Sequence, residues 1–297
     1  MSTNNLISIV IITCNRKKEL QKAIQSCIMF ADMNCEIIIV DNNSDDNTKK
    51  MLNDLQSPPH VQIRPFFLSS NLGVAGARNL GFSKANSKVV FFLDDDAYFA
   101  HDSEGLNYAY NYMLNNNHLF ALATEINDLK KKRFLLETKD KTNPDQVIMF
   151  IGASHLLRKD YVKTQDLYPK NLFYGTEELY ACLCAYQNGY FVEYNTQLKI
   201  IHNPSIFTRA NSNENKRNIY VNKFVIKKLT LPWLVLGLSN FLFYKRLLAF
   251  TNYNAKEYYT CYTLYKKRFK ENKYAIYRMS LKTLATLIKR FGFRRML

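Results

Sequence analysis

Three apolar runs in the first hundred residues each stop at a polar cluster, and that repeat admits few folds. Residues 6–12, 36–40 and 88–93 are short, rich in β-branched or aromatic side chains and almost free of polar interruptions. Runs of this kind suit strands covered on both faces, as in a parallel sheet. They end in residues 13–16, 41–44 and 94–96. Between them, Leu20, Ala23, Ile24 and Cys27 keep helical spacing. Asp45 or Asp46 is placed to cap a second helix holding Met51, Leu52 and Leu55. Residues 61–67 read as a further strand, and residues 73–83 as a loop entering a helix. Strand and helix alternating in this order predict an α/β fold with an open, doubly wound sheet. Ligands of such sheets sit beyond the carboxyl ends of the strands, where the three polar clusters should meet.

The middle of the chain is less regular. Residues 102–116 look helical, residues 127–143 are charged and poor in strand signals, and residues 147–157 are apolar around Gly152-Ala153-Ser154. Residues 177–187 read as a helix stopped by Asn188-Gly189. Residues 190–192 and 198–201 read as short strands, the second leading into His202. After about residue 211 aromatic, leucine-rich and Lys/Arg-rich segments run to the end, so we divide the chain into residues 1–215 and a helical extension, 216–297. Within the extension, Leu281, Leu284, Leu287, Ile288 and Phe291 keep helical spacing among Lys282, Lys289 and Arg290. This pattern suits an anionic membrane surface, or packing on the first domain or on a second copy in a homo-oligomer. The apolar stretch 229–250 is interrupted at Ser239, Asn240, Lys245 and Arg246, and its unbroken part, 231–238, falls short of the ~20 residues a spanning helix needs.

A net charge of +16 calls for a partner: nucleic acid, an anionic membrane leaflet or phosphorylated substrates. No nucleic-acid motif is present, and an acidic triplet suits a phosphate backbone poorly, so no nucleic-acid partner is expected. The six cysteines form no CxxC pair, and residues 1–5 lack the pattern of a secretory signal. Reduced thiols and a cytoplasmic protein, peripheral at the inner face of the membrane, are expected.

Asp94, Asp95 and Asp96 are three adjacent carboxylates after a buried strand, and such groups repel unless a cation dilutes their charge. Mn²⁺ or Mg²⁺ takes oxygen ligands and shares them with substrate phosphates, so these residues can hold a metal on a diphosphate or form a solvated turn. Asp41 can accept from a ribose hydroxyl or a base N–H, or close an Asx-turn. Asn71, Gly73 and Gly76 precede Arg78, allowing close backbone approach to a phosphate, although a plain helix start has the same look. Glu177 and Glu178 follow Thr176, as first-turn acids behind an N-cap or as a general base in a pocket. His202 can ligate a metal, contact phosphate or be structural.

Taken in order, Thr13-Cys14-Asn15-Arg16, residues 40–48, residues 71–79, residues 93–96, Glu177-Glu178 and His202 resemble the family-two glycosyltransferases of GT-A fold, of the bacterial surface-glycan type. The resemblance spans about residues 6–205. It implies that Thr13, Asn15, Arg16 and Asp41 line the nucleotide, with Asp41 on the imino group of a uracil or thymine. It implies that Asn71, Gly73, Arg78, Asp94 and Asp95 belong to the nucleotide-sugar site, and that Asp96 is the main metal ligand with His202 beside it. Glu178 falls where the family usually has the Asp that acts as general base, and inversion at the anomeric carbon is implied. Two departures stand out: the base is one methylene longer, and Tyr180 occupies a position that is often acidic. The implied partners are a nucleotide-sugar, a UDP-sugar above all, and a glycan or lipid-linked acceptor. A nucleotidyltransferase would need a basic glycine-rich loop near the N-terminus, which residues 13–16 do not supply. A non-catalytic basic partner protein fits poorly with intact acids at Asp96 and Glu178.

Overall fold

The structure is a computed structural model, and residues 6–135, 138–204 and 213–296 are described; the reading of residues 1–5 lies outside them. The elements in chain order are β1 (Leu6–Thr13), α1 (Lys17–Met29), β2 (Asn34–Asp41), α2 (Thr48–Asn53), β3 (Val61–Phe67), α3 (Gly73–Lys84), β4 (Val89–Asp94), β5 (Ala97–Phe99), α4 (Leu106–Asn115) and β6 (Leu119–Asp128). They continue with β7 (Arg133–Leu135), β8 (Ser154–Arg158), α5 (Glu177–Gln187), β9 (Phe191–His202), α6 (Asn213–Thr230), α7 (Leu236–Phe250), α8 (Ala255–Glu271), α9 (Leu281–Phe291) and α10 (Phe293–Met296).

Strands β3-β2-β1-β4 pair in parallel, as the apolar runs predict. Beyond β4 the expected doubly wound sheet turns mixed: β8 runs antiparallel to β4 and to β6, and the order closes β4-β8-β6-β9-β5. The reason lies in the connection. A parallel neighbour of β4 needs a crossover, whereas the chain wanders through β5, α4 and β6 first and returns to β4 from the opposite end. Residues 119–128, unassigned from the sequence, form the long strand β6, and the two short strands expected around residue 195 are one irregular strand, β9.

The sheet is buried on both faces. Ile7, Ile9 and Ile11 point to α1 and α4, while Val10, Ile38 and Val40 point to α3 and, further along, α5. Gly81 of α3 is required by this packing, because a Cβ there would come 2.4 Å from Val10 Cγ1.

The C-terminal helices join the same apolar core through α6. Phe224 meets Phe243 of α7 at 4.7 Å between ring centroids, and Phe243 meets Tyr265 of α8 at 4.4 Å. Helix α9 buries Leu284, Leu287 and Phe291, with Phe291 against Tyr186 of α5 at 5.8 Å and Arg290 paired with Asp140. Its amphipathic stripe is therefore covered by the sheet-bearing half, not offered to a membrane as the sequence pattern allowed. Helix α7 behaves differently. It continues through Lys245 and Arg246, and residues 233–250 reach a mean hydropathy of 1.2 over 18 residues, enough by length and composition to cross a membrane. The run is thus longer as a helix than its unbroken apolar part indicated.

Candidate active site

The carboxyl ends of β1, β2 and β4 do converge. Thr13 lies opposite Asp41 in the β1–β2 register, and Ile12 lies opposite Asp94 in the β1–β4 register. Thr13 Oγ1 donates to Asp95 Oδ2 at 2.8 Å, and Arg16 Nη1 donates to Asp95 Oδ1 at 2.9 Å and to Asp96. Burial works against the Arg16 charge, but Asp95 and Asp96 overcome it and hold the guanidinium protonated. Asp95 is 1% exposed, lines neither cavity described below, and serves to anchor Thr13 and Arg16.

His202 reaches the triplet through strand register. It pairs with Ala97 of β5 on one side and with Asp128 of β6 on the other. Ligand atoms of Asp94, Asp96 and His202 lie within 4.8 Å of one another. Asp96 Oδ1 is buried without a hydrogen bond, and His202 Nε2 stands 3.4 Å from it. The other imidazole nitrogen, Nδ1, is 3.1 Å from Asp128 Oδ2. A buried, unsatisfied carboxylate oxygen, a second carboxylate and an imidazole oriented by an outer carboxylate form a donor set that fits Mn²⁺ or Mg²⁺. Despite burial, His202 and Arg16 hold the Asp96 carboxyl far below its usual range, and Asp96 raises the His202 imidazole. Asp128 was not singled out from the sequence. Its one signal is that of Asp41 and Asp94, an acid closing an apolar strand.

Arg78 organises the second half of the site. Its Nη2 donates to Asp94 Oδ1 at 2.8 Å and to the Gly152 carbonyl at 2.7 Å. Its Nη1 lies 3.1 Å from both Glu177 Oε1 and Glu178 Oε1. One buried guanidinium thus faces three carboxylates. Burial raises both glutamates above the usual range, mutual repulsion adds to the rise at Glu177, and Arg78 opposes it. Gly152 is held open for this cluster, since a Cβ there would meet Glu178 Oε1 at 2.1 Å. Thr176, expected as a side-chain cap, instead has a left-handed backbone (φ 68°) and turns its hydroxyl to the Gly175 carbonyl.

Two cavities open here. One of about 540 Å³ is lined by Arg78, Asp94, Asp96, Glu177, Glu178 and His202 among others. The second, about 260 Å³, is lined by Thr13, Asn42, Asn71 and Gly73, and Arg16, Val74 and Tyr174 form a wall common to both. Gly73 adopts φ +71° with its α-carbon packed on Phe173, where a Cβ would sit 2.6 Å from the Phe173 carbonyl oxygen. Asn71 Oδ1 accepts from Gly73 N at 2.8 Å, and Asn42 Oδ1 accepts from Leu72 N at 2.8 Å. Asn15 and Asp41 reach neither cavity. Asn15 Oδ1 accepts from Asp45 N at 2.8 Å, clipping two loops together. Asp41 Oδ1 closes an Asx-turn onto Ser44 N at 3.1 Å. Asp46 takes the capping role, accepting from Thr48 N at 3.2 Å and from Lys17 N at 2.8 Å.

Residues 8–171 match the model of glycosyl transferase family 2. The chain belongs to that family. The chain is 34% identical over 112 residues to an uncharacterized glycosyltransferase of Haemophilus influenzae, a match covering 38% of this chain and 44% of that protein. It is 32% identical over 94 residues to the Escherichia coli UDP-Glc:alpha-D-GlcNAc-diphosphoundecaprenol beta-1,3-glucosyltransferase WfaP, covering 32% of this chain and 36% of WfaP. The matched region therefore spans less than half the length of either relative. Among solved structures, S. aureus TarS 1-349 in complex with UDP-GlcNAc superposes with a TM-score of 0.57 at 16% identity, over 74% of this chain and 65% of that one. The chain thus has the GT-A fold, with a helical C-terminal region following it.

Proposed function

We propose that the chain transfers a sugar from a UDP-sugar to a hydroxyl of a lipid-linked glycan acceptor, with inversion, at the cytoplasmic face of a membrane. The observation that carries this reading is the convergence of Glu178, Arg78, Asp94, Asp96 and His202 on one cavity beside a second, smaller one. The smaller cavity has the size and the polar lining for a nucleotide, with Thr13, Asn42 and Asn71 along it. A UDP donor is supported by the UDP-GlcNAc complex of TarS and by the printed activity of WfaP, and the diphosphoundecaprenol acceptor of WfaP supports a lipid-linked acceptor.

Asp94, Asp96 and His202 would hold Mn²⁺ or Mg²⁺, which when bound supplies positive charge to offset a departing diphosphate. The residues of the chain do the rest. Arg78 fixes Asp94 and Glu178 relative to one another through its two amino groups. Arg16, at the common wall, presents permanent positive charge where a diphosphate would pass from one cavity to the other. Glu178, made more basic by burial, takes the proton of the acceptor hydroxyl. The acceptor oxygen forms its bond to the anomeric carbon as the bond to the diphosphate oxygen breaks, and the electron pair leaves with the diphosphate. One base and a single displacement invert the centre. The test is UDP release from a panel of UDP-sugars with a short polyprenyl-diphosphate glycan acceptor. Acceptor-dependent release that vanishes in Glu178→Gln supports the reading, and full activity of that variant would remove Glu178 from its role.

A further inference from the structure

The charge of this chain is unevenly placed. Of its 41 Lys and Arg, 19 lie in residues 213–297, together with 3 of its 25 Asp and Glu, so this part carries the whole net charge of +16 while residues 1–212 balance. In the same part lies the most apolar exposed surface of the described residues. Trp233 is 74% exposed, Phe241 63% and Leu234 58%, with Leu238 and Leu248 exposed along the same side of α7. Positions 234, 238, 241, 245 and 248 follow helical spacing, so they form one stripe in which Lys245 is the only charge. The opposite side of α7 is spoken for: Ser239, Phe243 and Leu247 are buried against α6 and α8.

A second, independent feature lies next to the stripe. Lys227 of α6 is 2% exposed and its Nζ has no hydrogen-bond partner among the described residues. The charges facing it are Lys223 on α6 and Arg246 on α7, both cationic, with the Phe224 ring 5.6 Å from Nζ. Burial first and these two cations second push the ammonium down to about 7. A buried ammonium beside two further cations is a local excess of positive charge beneath this face.

We propose that α7 and the turn before it dock this protein on an anionic lipid bilayer, the Trp233–Phe241 stripe entering the headgroup boundary and Lys223, Lys245 and Arg246 meeting lipid phosphates. An apolar stripe flanked by cations is what an interfacial helix needs. Spanning would strip Phe243 and Leu247 from α6 and α8, so α7 lies in the interface. The position is also useful. Phe250 at the end of α7 stacks on Tyr220 at 4.1 Å, and the neighbouring Ile219 lines the larger cavity. The proposal stands whether or not the acceptor is lipid-linked.

Trp233 is the only tryptophan of the chain, so its fluorescence reports this face directly. The experiment titrates the full chain with unilamellar vesicles of zwitterionic lipid, with and without anionic phospholipid, at low and high salt. A blue shift of Trp233 and quenching by lipids brominated on their chains are expected on anionic vesicles, reversed by salt. Phe241→Ser should weaken binding about tenfold. Lys245→Gln should weaken it about fivefold, with the melting temperature unchanged. Absence of anionic binding at low salt, or binding that Phe241→Ser and Lys245→Gln leave intact, overturns the proposal. A blue shift that grows with protein concentration without lipid assigns the face to a second copy and overturns it as well. Resistance to alkaline extraction from vesicles would mean spanning and would have the same effect.

Discussion

The sheet half and the helical half of this protein treat charge in opposite ways. Around the sheet, Arg16 and Arg78 are buried, and each is surrounded by carboxylates within hydrogen-bonding distance. The cost of removing ions from water is offset locally, and the result is a tight cluster in which burial first, and Asp94 after it, raise the basicity of Glu178 while Arg78 opposes the rise. In the helical half Lys227 is buried with cations as the charges facing it, and an apolar stripe faces outward beside Lys245. The first arrangement suits chemistry at a fixed point, and the second is the one on which the proposed attachment rests.

The contrast can be broken or sharpened at individual residues. Glu178→Gln keeps the shape of the buried cluster and removes the base, so steady-state assays should show kcat lower by about 10³ with the donor KM little changed; a proportional rise in KM instead would mean that Glu178 binds rather than reacts. Arg78→Lys keeps one positive charge but loses the fork that spans Asp94, Glu177 and Glu178. Thermal unfolding should report a loss of about 3 kcal/mol, and an unchanged melting temperature would show that the carboxylates are held by other means. Asp128→Asn leaves the ligand set intact and loosens His202, so calorimetric Mn²⁺ affinity in the presence of UDP should fall about 10- to 100-fold. Asn222→Ala addresses the joint between the halves. Its Nδ2 lies 3.0, 2.8 and 2.9 Å from the carbonyls of Leu172, Tyr174 and Gly175, and Arg268 donates to its Oδ1 at 2.6 Å. Its removal should cost about 2 kcal/mol of stability and lower kcat, as the loop before α5 loses its anchor.

The smallest effect carries the opposite sign. Lys227→Met should raise stability, most of all at low pH. The folded ammonium titrates near 7 and the unfolded one near 10.5. Below about 7 both states are charged and the folded state bears the full penalty of burial. Between 7 and 10.5 the unfolded chain holds the extra proton, so wild-type stability climbs with pH and the gain from the substitution shrinks. Melting curves at pH 6 and pH 9 should show a gain at the first about twice that at the second; equal gains would mean that packing, not charge, is responsible. About 1 kcal/mol corresponds to about 2 to 4 °C for larger domains.

The parallel half of the sheet could be read from the chain because each of its strands is a local apolar run with a local polar end. Strand β6 carries a similar run, Leu119 to Ile126, but Glu125 and the charged stretch after Asp128 blur its edge. The antiparallel strand β8 hides in an apolar segment whose Gly152-Ala153-Ser154 speaks for a turn. The site divides along the same line. Asp94, Asp96 and Glu178 lie at or beside ends of elements, and their convergence follows from topology, whereas Arg78 reaches them from the middle of α3. Asp128 acquires meaning only through register, because β6 and β9 place it opposite His202 although the two are far apart in sequence. Asn15, Asp41 and Asp95 have the right residue types in the right loops, yet their side chains are engaged in holding those loops together. Which way a side chain turns at a strand end is decided by neighbours that no local pattern names.

Asn222 has a mechanical consequence. It stands on α6 five residues, or about 7.5 Å along the axis, from Lys227, and it grips the carbonyls that lead into Glu177 and Glu178. Helix α6 therefore ties the loop ahead of α5, through Asn222, to the cationic stretch around Lys223 and Lys227, so that one rod carries both the clasp beside Glu177 and Glu178 and the positive side of the helical half.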